Sequence, residues 1–313
     1  MLFLSEQDVR ALLPMPAAID LVADAFAGLG SGAALNQPRR RLILPSGSVL
    51  HQMAGACGPY FGTKFYSTNR KHGAWFLFAL YRAEDGRPLA LLEANHLGQI
   101  RTGAASGYAT RLLAAPDADT VGLLGSGFQA RTQLEALAAV RPLRRARVWS
   151  RSEANRQRFA VESAVQLGIE VEAAATAEDA VRGASIVVTA TNAKDPVLEA
   201  AWVAPEAHIN AIGSNQANRR ELPAELIAKA ALIAVDSLEQ ARIESGDLIL
   251  SEPEHHWDPR KIVELAGVSG KRREGITIFK SNGLGVQDVA VAGHVYEQAL
   301  KQKRGKEWPM FYS

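Results

Sequence analysis

The chain has 313 residues, enough for two domains with real cores, and its 47% hydrophobic and 22% charged residues exclude a disordered protein. Its 35 Lys and Arg against 33 Asp and Glu leave a formal charge of +2, too small a surplus to grip nucleic acid or a membrane surface through a global field. A single cysteine, Cys57, excludes an internal disulfide and cysteine-rich zinc or iron–sulfur sites, and it suits a reducing compartment.

Residues 5–29 are expected to be helical. Ser5 suits an N-cap with Glu6 and Asp8 in the first turn. Pro14 and Pro16 split this helix in two, and Ile19, Val22, Ala23 and Phe26 form the apolar stripe of the second piece. Glu6, Asp8 and Arg10 do not fit a secretory signal, and no apolar run reaches the roughly 18–20 residues that cross a bilayer, so a cytoplasmic, soluble protein is expected. Short strands follow at 41–44, 49–54 and 60–66. Residues 75–94 read as a hairpin around Asp85-Gly86, a dipeptide suited to a tight turn with positive φ. Residues 97–113 return to helix.

Residues 115–119, Ala-Pro-Asp-Ala-Asp, form a linker, and beyond it strands alternate with helices. The strands are expected at 120–124, 146–149, 171–174, 186–190, 208–213, 231–235 and 277–280, and the helices at 128–140, 153–167 and 223–229. This alternation predicts an α/β fold, a Rossmann-type doubly wound parallel sheet over 115–285. A last helix over about 286–302 is long enough to cross back, so 286–313 is expected to complete a smaller α+β domain formed by 1–114.

The segment VGLLGSGFQA, 121–130, carries Gly125, Gly127 and Ala130 in the G-x-G-x-x-G/A spacing, after an apolar strand and at the opening of a helix. Gly125 allows a tight turn, Gly127 lets a pyrophosphate approach the backbone, and Ala130 lets the helix pack closely on the strand. Phe128 and Gln129 open that helix, whose free N–H groups and positive dipole end suit phosphates. The alternative is a tight strand–helix turn with no ligand. The next strand ends Trp149-Ser150-Arg151-Ser152, with no carboxylate until Glu153 to hold a ribose 2′-hydroxyl. Ser150, Arg151 and Ser152 suit a 2′-phosphate instead, so NADP(H) is the preferred cofactor and NAD(H) the possible one. Arg151 as a solvated residue at a helix start is the plainer alternative.

Several separated stretches stand in order along nearly the whole chain: SEQDVRALL and AIDLVADAF at the N-terminus, Gln37-Pro38-Arg39-Arg40, Gly62-Thr63-Lys64, Ile100-Arg101-Thr102-Gly103-Ala104, the Gly-Ser-Gly-Phe-Gln-Ala loop, and IFKSNGLGVQDVA at 278–290. In these the chain resembles the ornithine cyclodeaminase/mu-crystallin family. That family includes cyclodeaminases, alanine dehydrogenases, reductases of cyclic ketimines and a lens protein that binds NADPH. The resemblance implies an NAD(P)-dependent oxidoreductase, and a homodimer whose first domains bind substrate and pair through sheet faces. It also implies that Arg40 and Arg101 clamp a substrate carboxylate and that Lys64 acts near the reacting nitrogen or carbon. An Arg fork holds a carboxylate bidentately, and an ammonium beside two guanidinium groups has its charged form disfavoured, so its pKa falls toward neutrality. Arg39 or Arg41 could stand in the place of Arg40, and each cation read alone is an ordinary structural or surface charge. The resemblance further places Thr102 at the cofactor phosphates, and Ser281 and Gly283 near the nicotinamide. Thr189, Ala190 and Thr191 end the fourth strand, at the sheet edge that faces a cofactor. A helix hydroxyl for Thr102, and a turn with a helix cap for 281–283, are the bland alternatives.

The departure is in Ala211-Ile212-Gly213-Ser214-Asn215. The resemblance implies an Asp in this loop in ornithine cyclodeaminases and in the family's archaeal alanine dehydrogenases, whereas Asn215 is neutral and can neither balance a second, cationic amine nor act as a base. The expected activity is therefore NADP(H)-dependent reduction of a cyclic ketimine acid, Δ1-pyrroline-2-carboxylate or Δ1-piperideine-2-carboxylate. Ornithine cyclodeaminase or alanine dehydrogenase activity with NAD is the alternative, and a non-catalytic NADPH-binding protein is another. His255-His256 lack a third spaced ligand, so no metal is expected. Lys271-Arg272-Arg273 reads as a solvated turn and not a nucleic-acid site.

Overall fold

The computed structural model describes residues 1–251, 257–269 and 273–309. The chain divides into two compact units, Met1–Ala104 with Gly283–Ser313, and Ala105–Asn282. The first unit opens with strand β1 (Leu2–Leu4) and helix α1 (Glu6–Leu12). Ser5 and Asp8 cap each other's backbone N–H at the start of α1. Helix α2 (Met15–Ser31) has Pro16 in its first turn, where a missing N–H costs nothing, and ends at Gly32. Its Ile19, Val22 and Phe26 are buried. Among the described residues no single helix is long and apolar enough to cross a membrane; α1 and α2 pass that test only as a pair bent by 87°.

An antiparallel meander follows: β2 (Leu35–Ile43), β3 (Val49–Cys57), β4 (Tyr60–Asn69), β5 (Gly73–Arg82) and β6 (Pro88–Glu93). Strand β2 begins well before the expected residue 41. It runs through Pro38, which a sheet tolerates because β2 is an edge strand and because its register with β3 shifts between Gln37 and Arg40. The β5–β6 turn has Gly86 at φ 72. Alternation divides the side chains between two faces. Met53, Lys64 and Phe78 are paired across three strands and buried on one face. Leu42, Leu50 and Phe61 lie on the other, exposed by 59%, 45% and 37%. Helix α3 (Asn95–Leu113) comes next, and Glu6 accepts hydrogen bonds from the backbone N–H groups of Asn95 and His96 at its start.

In the second unit the order is β7 (Thr120–Leu124), α4 (Phe128–Val140), β8 (Arg145–Trp149), α5 (Glu153–Leu167), β9 (Glu170–Ala173), α6 (Ala177–Val181), β10 (Ile186–Thr189), β11 (His208–Ala211), α7 (Ala224–Lys229), β12 (Leu232–Val235), α8 (Leu238–Glu244), α9 (Gly246–Ile249), β13 (Ile262–Glu264) and β14 (Thr277–Lys280). The sheet order β13-β12-β14-β11-β10-β7-β8-β9 is parallel throughout. It reverses direction of growth between β7 and β10, the switch point of a doubly wound fold. The short elements α6, α8, α9 and β13, like β1, are additions to the expected set. Residues 105–113 of α3 belong here and not with the expected first domain, because Asn210 donates to Thr110 at 2.9 Å and Thr277 donates to the Leu113 carbonyl at 3.3 Å.

The chain then returns to the first unit as helix α10 (Gly285–Gln302) and the short strand β15 (Lys306–Glu307). That unit's sheet order is β15-β1-β6-β5-β4-β3-β2. The start of α10 lies so close to β3 that a Cβ on Gly285 would stand 2.5 Å from the Ala54 carbonyl oxygen. This contact fixes the two residues after Gly285–Val286, Gln287 and Asp288, which are fully buried.

Candidate active site

In the second unit, the turn after β7 has Gly125 at φ +115, where a Cβ would meet the Ala190 carbonyl oxygen at 2.4 Å. Any side chain there would push β7 from β10. Gly127 is the N-cap of α4, and nothing lies within 4 Å of where its Cβ would be, so the helix N-terminus is open. Above it lies a pocket of about 830 Å³, with Phe128, Gln129, Ser150, Arg151 and Ser152 on its wall. Ala130 is fully buried in the core beneath, against the β7 strand it packs on. Ser126 donates to the Ser150 hydroxyl at 2.8 Å, Arg156 donates to the Ser150 carbonyl at 3.0 Å, and Arg151 reaches Asn192 at 3.4 Å. The carboxylate on this wall, Asp195, is on the segment after β10 and not at the end of β8. A pocket with a bare helix N-terminus, a glycine-flanked turn and the Arg151 guanidinium just past the end of β8 fits a nicotinamide dinucleotide.

Thr189, which ends β10, and Thr191, two residues on, share one buried partner. Thr189 is fully buried and donates its hydroxyl to Glu221 at 2.9 Å. Thr191 donates both its backbone N–H and its hydroxyl to Glu221, each at 2.7 Å, and Gly213 donates its N–H at 2.7 Å. Ala190 and Thr191 therefore line the pocket, while Thr189 does not. Glu221 is fully buried; burial and the neighbouring Asp247 push its carboxyl pKa up, against the pull of Lys280 and Thr191. Asp247 in turn accepts from the Glu221 and Leu222 N–H groups and pairs with Lys280 at 2.9 Å. Lys280 also donates to the Ser214 carbonyl at 2.6 Å, one residue before the half-buried Asn215. Sequence reasoning missed Glu221 and Asp247. Their signal was Lys280, a cation closing a fully buried strand. Ser281 donates to Asp236 at 3.1 Å, which anchors the turn after β14.

The first unit gathers cations. Lys64, only 2% exposed, places its Nζ 2.8 Å from Asp288 Oδ2 and 2.9 Å from Oδ1. Arg101 donates through Nε to Asp288 at 3.1 Å and through Nη1 to Gln287 at 3.1 Å. Burial, then Arg101, lowers the Lys64 pKa to about 7; Asp288 opposes them and Arg39 adds to them. Arg40 is corrected by the structure. It pairs with Gln52 on the exposed face, whereas Arg39, 6% exposed, is on the Lys64 side, because the register shift between Gln37 and Arg40 changes which arginine turns inward. Thr102 donates its hydroxyl to the Gly98 carbonyl at 2.7 Å and so serves its own helix. Gly283 has φ +77, and the Arg101 Nη1 lies 2.3 Å from where its Cβ would stand, so its place in the site is to make room for that guanidinium. Asp288 and Gln287 were missed although both lie in the quoted 278–290 stretch; the signal was two adjacent polar residues in the apolar face of a helix. Among the described residues no group of three or more His, Cys, Asp or Glu side chains could hold a metal. His255, His256, Lys271 and Arg272 lie outside the described residues.

A sequence model of the ornithine cyclodeaminase/mu-crystallin family matches residues 1–303. The chain belongs to that family. It is 39% identical over 230 residues to a Δ1-pyrroline-2-carboxylate reductase of Bacillus cereus, an alignment that covers 71% of this chain and 70% of the relative. The Thermococcus litoralis Δ1-pyrroline-2-carboxylate reductase, solved in complex with NADH and L-proline, superposes with a TM-score of 0.93 at 33% identity, covering 98% of this chain and all of that one, 100%. An archaeal alanine dehydrogenase dimer with bound NAD superposes with a TM-score of 0.92 at 32% identity, covering 99% of each chain. The chain is an enzyme of this family's NAD(P)-dependent imine reductase and amino-acid dehydrogenase class.

Proposed function

We propose that the protein is an NADP(H)-dependent oxidoreductase for the C–N bond of a small α-imino or α-amino acid, and that its substrate is a cyclic ketimine acid, Δ1-pyrroline-2-carboxylate or Δ1-piperideine-2-carboxylate. The observation that carries this reading is Lys64: a buried lysine with a pKa of about 7, set between Arg101 and Asp288. Near neutral pH such a group exists in both forms, so it can give a proton to an imine nitrogen and take one from an amine. Arg101 and Arg39 hold the substrate carboxylate by charge-assisted hydrogen bonds. The bound dihydronicotinamide supplies the hydride. Ser150, Arg151 and Ser152 favour a 2′-phosphate, which supports NADP(H) over NAD(H). The neutral Asn215 supports a substrate without a second ammonium group.

The apolar, exposed sheet face bearing Leu42, Leu50 and Phe61 supports a homodimer in which two copies pair through that face. A second reading, alanine dehydrogenase with NAD, is supported by a 34% identity to the Archaeoglobus fulgidus alanine dehydrogenase over 325 residues, 99% of this chain. One experiment separates the two. NADPH and NADH oxidation is followed with each cyclic ketimine acid and with pyruvate plus ammonia. Turnover confined to pyruvate plus ammonia, or to NADH, would reject the first reading.

A further inference from the structure

On the face of the sheet that carries Lys64, three rings stand side by side on three adjacent strands. His51 of β3 stacks on Tyr66 of β4 with centroids 4.3 Å apart and planes at 2°. Tyr66 stacks on Phe76 of β5 at 4.8 Å and 17°. The register makes this possible, since His51 pairs with Tyr66 and Tyr66 with Phe76. Both faces of the Tyr66 ring are thereby covered, and its edge is what remains for a neighbour. The Lys64 Nζ is 5.9 Å from the Tyr66 ring centroid. His51 and Phe76 are only half-buried, so the stack is not sealed inside the core. The imidazole is neutral: burial, then Arg41 and Arg39, push its pKa down to about 4, and its Nε2 is 3.0 Å from the Thr68 hydroxyl. A cation cluster thus adjoins an uncharged aromatic wall.

We propose that the His51–Tyr66–Phe76 stack is the wall against which the carbon ring of the substrate lies, so that it selects ring-closed imino acids over open-chain ones. The inference rests on the function proposed above and deepens it. With the nitrogen at Lys64 and the carboxylate at the arginines, the ring methylenes of a cyclic ketimine reach van der Waals contact with the stack, roughly 3.5–4.0 Å. An open-chain imine of pyruvate has only a methyl group to offer, and each methylene in an apolar pocket is worth about 10–200-fold in specificity.

The test uses the full-length protein and two variants, His51→Ala and Tyr66→Leu. The first readout is the ratio of kcat/KM for Δ1-pyrroline-2-carboxylate to that for pyruvate plus ammonia. The second is calorimetric binding of the ring analogue pyrrole-2-carboxylate and of pyruvate to the NADP+-saturated protein. The expected result is a fall of about tenfold or more in the kinetic ratio in both variants, and a similar weakening for pyrrole-2-carboxylate but not for pyruvate. A ratio held within about twofold in folded variants would overturn the proposal. If Tyr66→Leu does not fold, His51→Ala decides, since its ring is half exposed. Wild-type protein inactive with every cyclic ketimine acid would instead overturn the underlying function, an outcome distinct from an unchanged ratio.

Discussion

Lys64 and Asp288 form a buried ion pair at 2.8 Å, and the same carboxylate takes Arg101 at 3.1 Å. One anion therefore serves two cations whose residues are far apart in sequence. Because the pair is almost wholly buried, the protonation of Lys64 depends on what Asp288 contributes against burial and Arg101.

The pH profile should report this balance. Lys64 must be protonated to donate, so kcat/KM for reduction should fall as pH rises through about 7. Asp288 raises the Lys64 pKa, so Asp288→Asn should move that fall to lower pH by about one unit or more, slowing reduction at neutral pH by about tenfold. The check is the pH dependence of NADPH oxidation for both proteins. An unmoved profile would remove Lys64 from the proton's path.

Arg39 and Arg40 are neighbours on opposite faces of the sheet, and their substitutions should separate cleanly. Arg39→Ala should raise the substrate KM by roughly 100-fold, as expected for loss of a buried charge-assisted contact. Arg40→Ala should stay within about twofold, the range of a surface residue. Initial rates over a range of ketimine concentrations decide it.

Cofactor choice should turn on the end of β8. Arg151→Ala should weaken NADPH binding by about 10–100-fold, through loss of the guanidinium at the 2′-phosphate, and leave NADH little changed. Fluorescence titration of each dinucleotide measures this without turnover. Equal losses for both would place Arg151 elsewhere.

Lys280→Met should cost about 3–5 kcal/mol of stability, because it leaves Asp247 buried without its cation. It should also free the Ser214 carbonyl and so loosen the loop that carries Gly213 and Asn215. Chemical denaturation gives the first quantity. Dinucleotide affinity of the folded fraction, expected to weaken, gives the second.

Local chemistry made much of this molecule legible in the sequence. The strand–Gly-x-Gly–helix succession and the βα alternation predicted the parallel sheet, and Asp85-Gly86 predicted the β5–β6 turn. Lys64 and Arg101, each an ordinary charge when read alone, were singled out by the family resemblance, and the structure brings both to one carboxylate. What was not legible depends on partners distant in the chain. Pro38 in Gln-Pro-Arg-Arg-Arg hints at an irregular strand, but it does not say which arginine the register shift turns inward. That Thr189 faces away from the pocket while Thr191 lines it was not visible without Glu221, some thirty residues on, which takes both hydroxyl hydrogens. Short elements such as α6 and β13 carry too few residues for a periodic pattern to show.

The Arg101 guanidinium occupies the volume that a side chain at Gly283 would fill. The two positions are therefore spatially exclusive, and the backbone at 283, held at φ +77, reinforces the constraint. A descendant that acquires bulk at 283 must surrender the arginine or swing it out of the cluster. Substitution at a residue with no chemistry of its own thus reaches the carboxylate shared by Arg101 and Lys64.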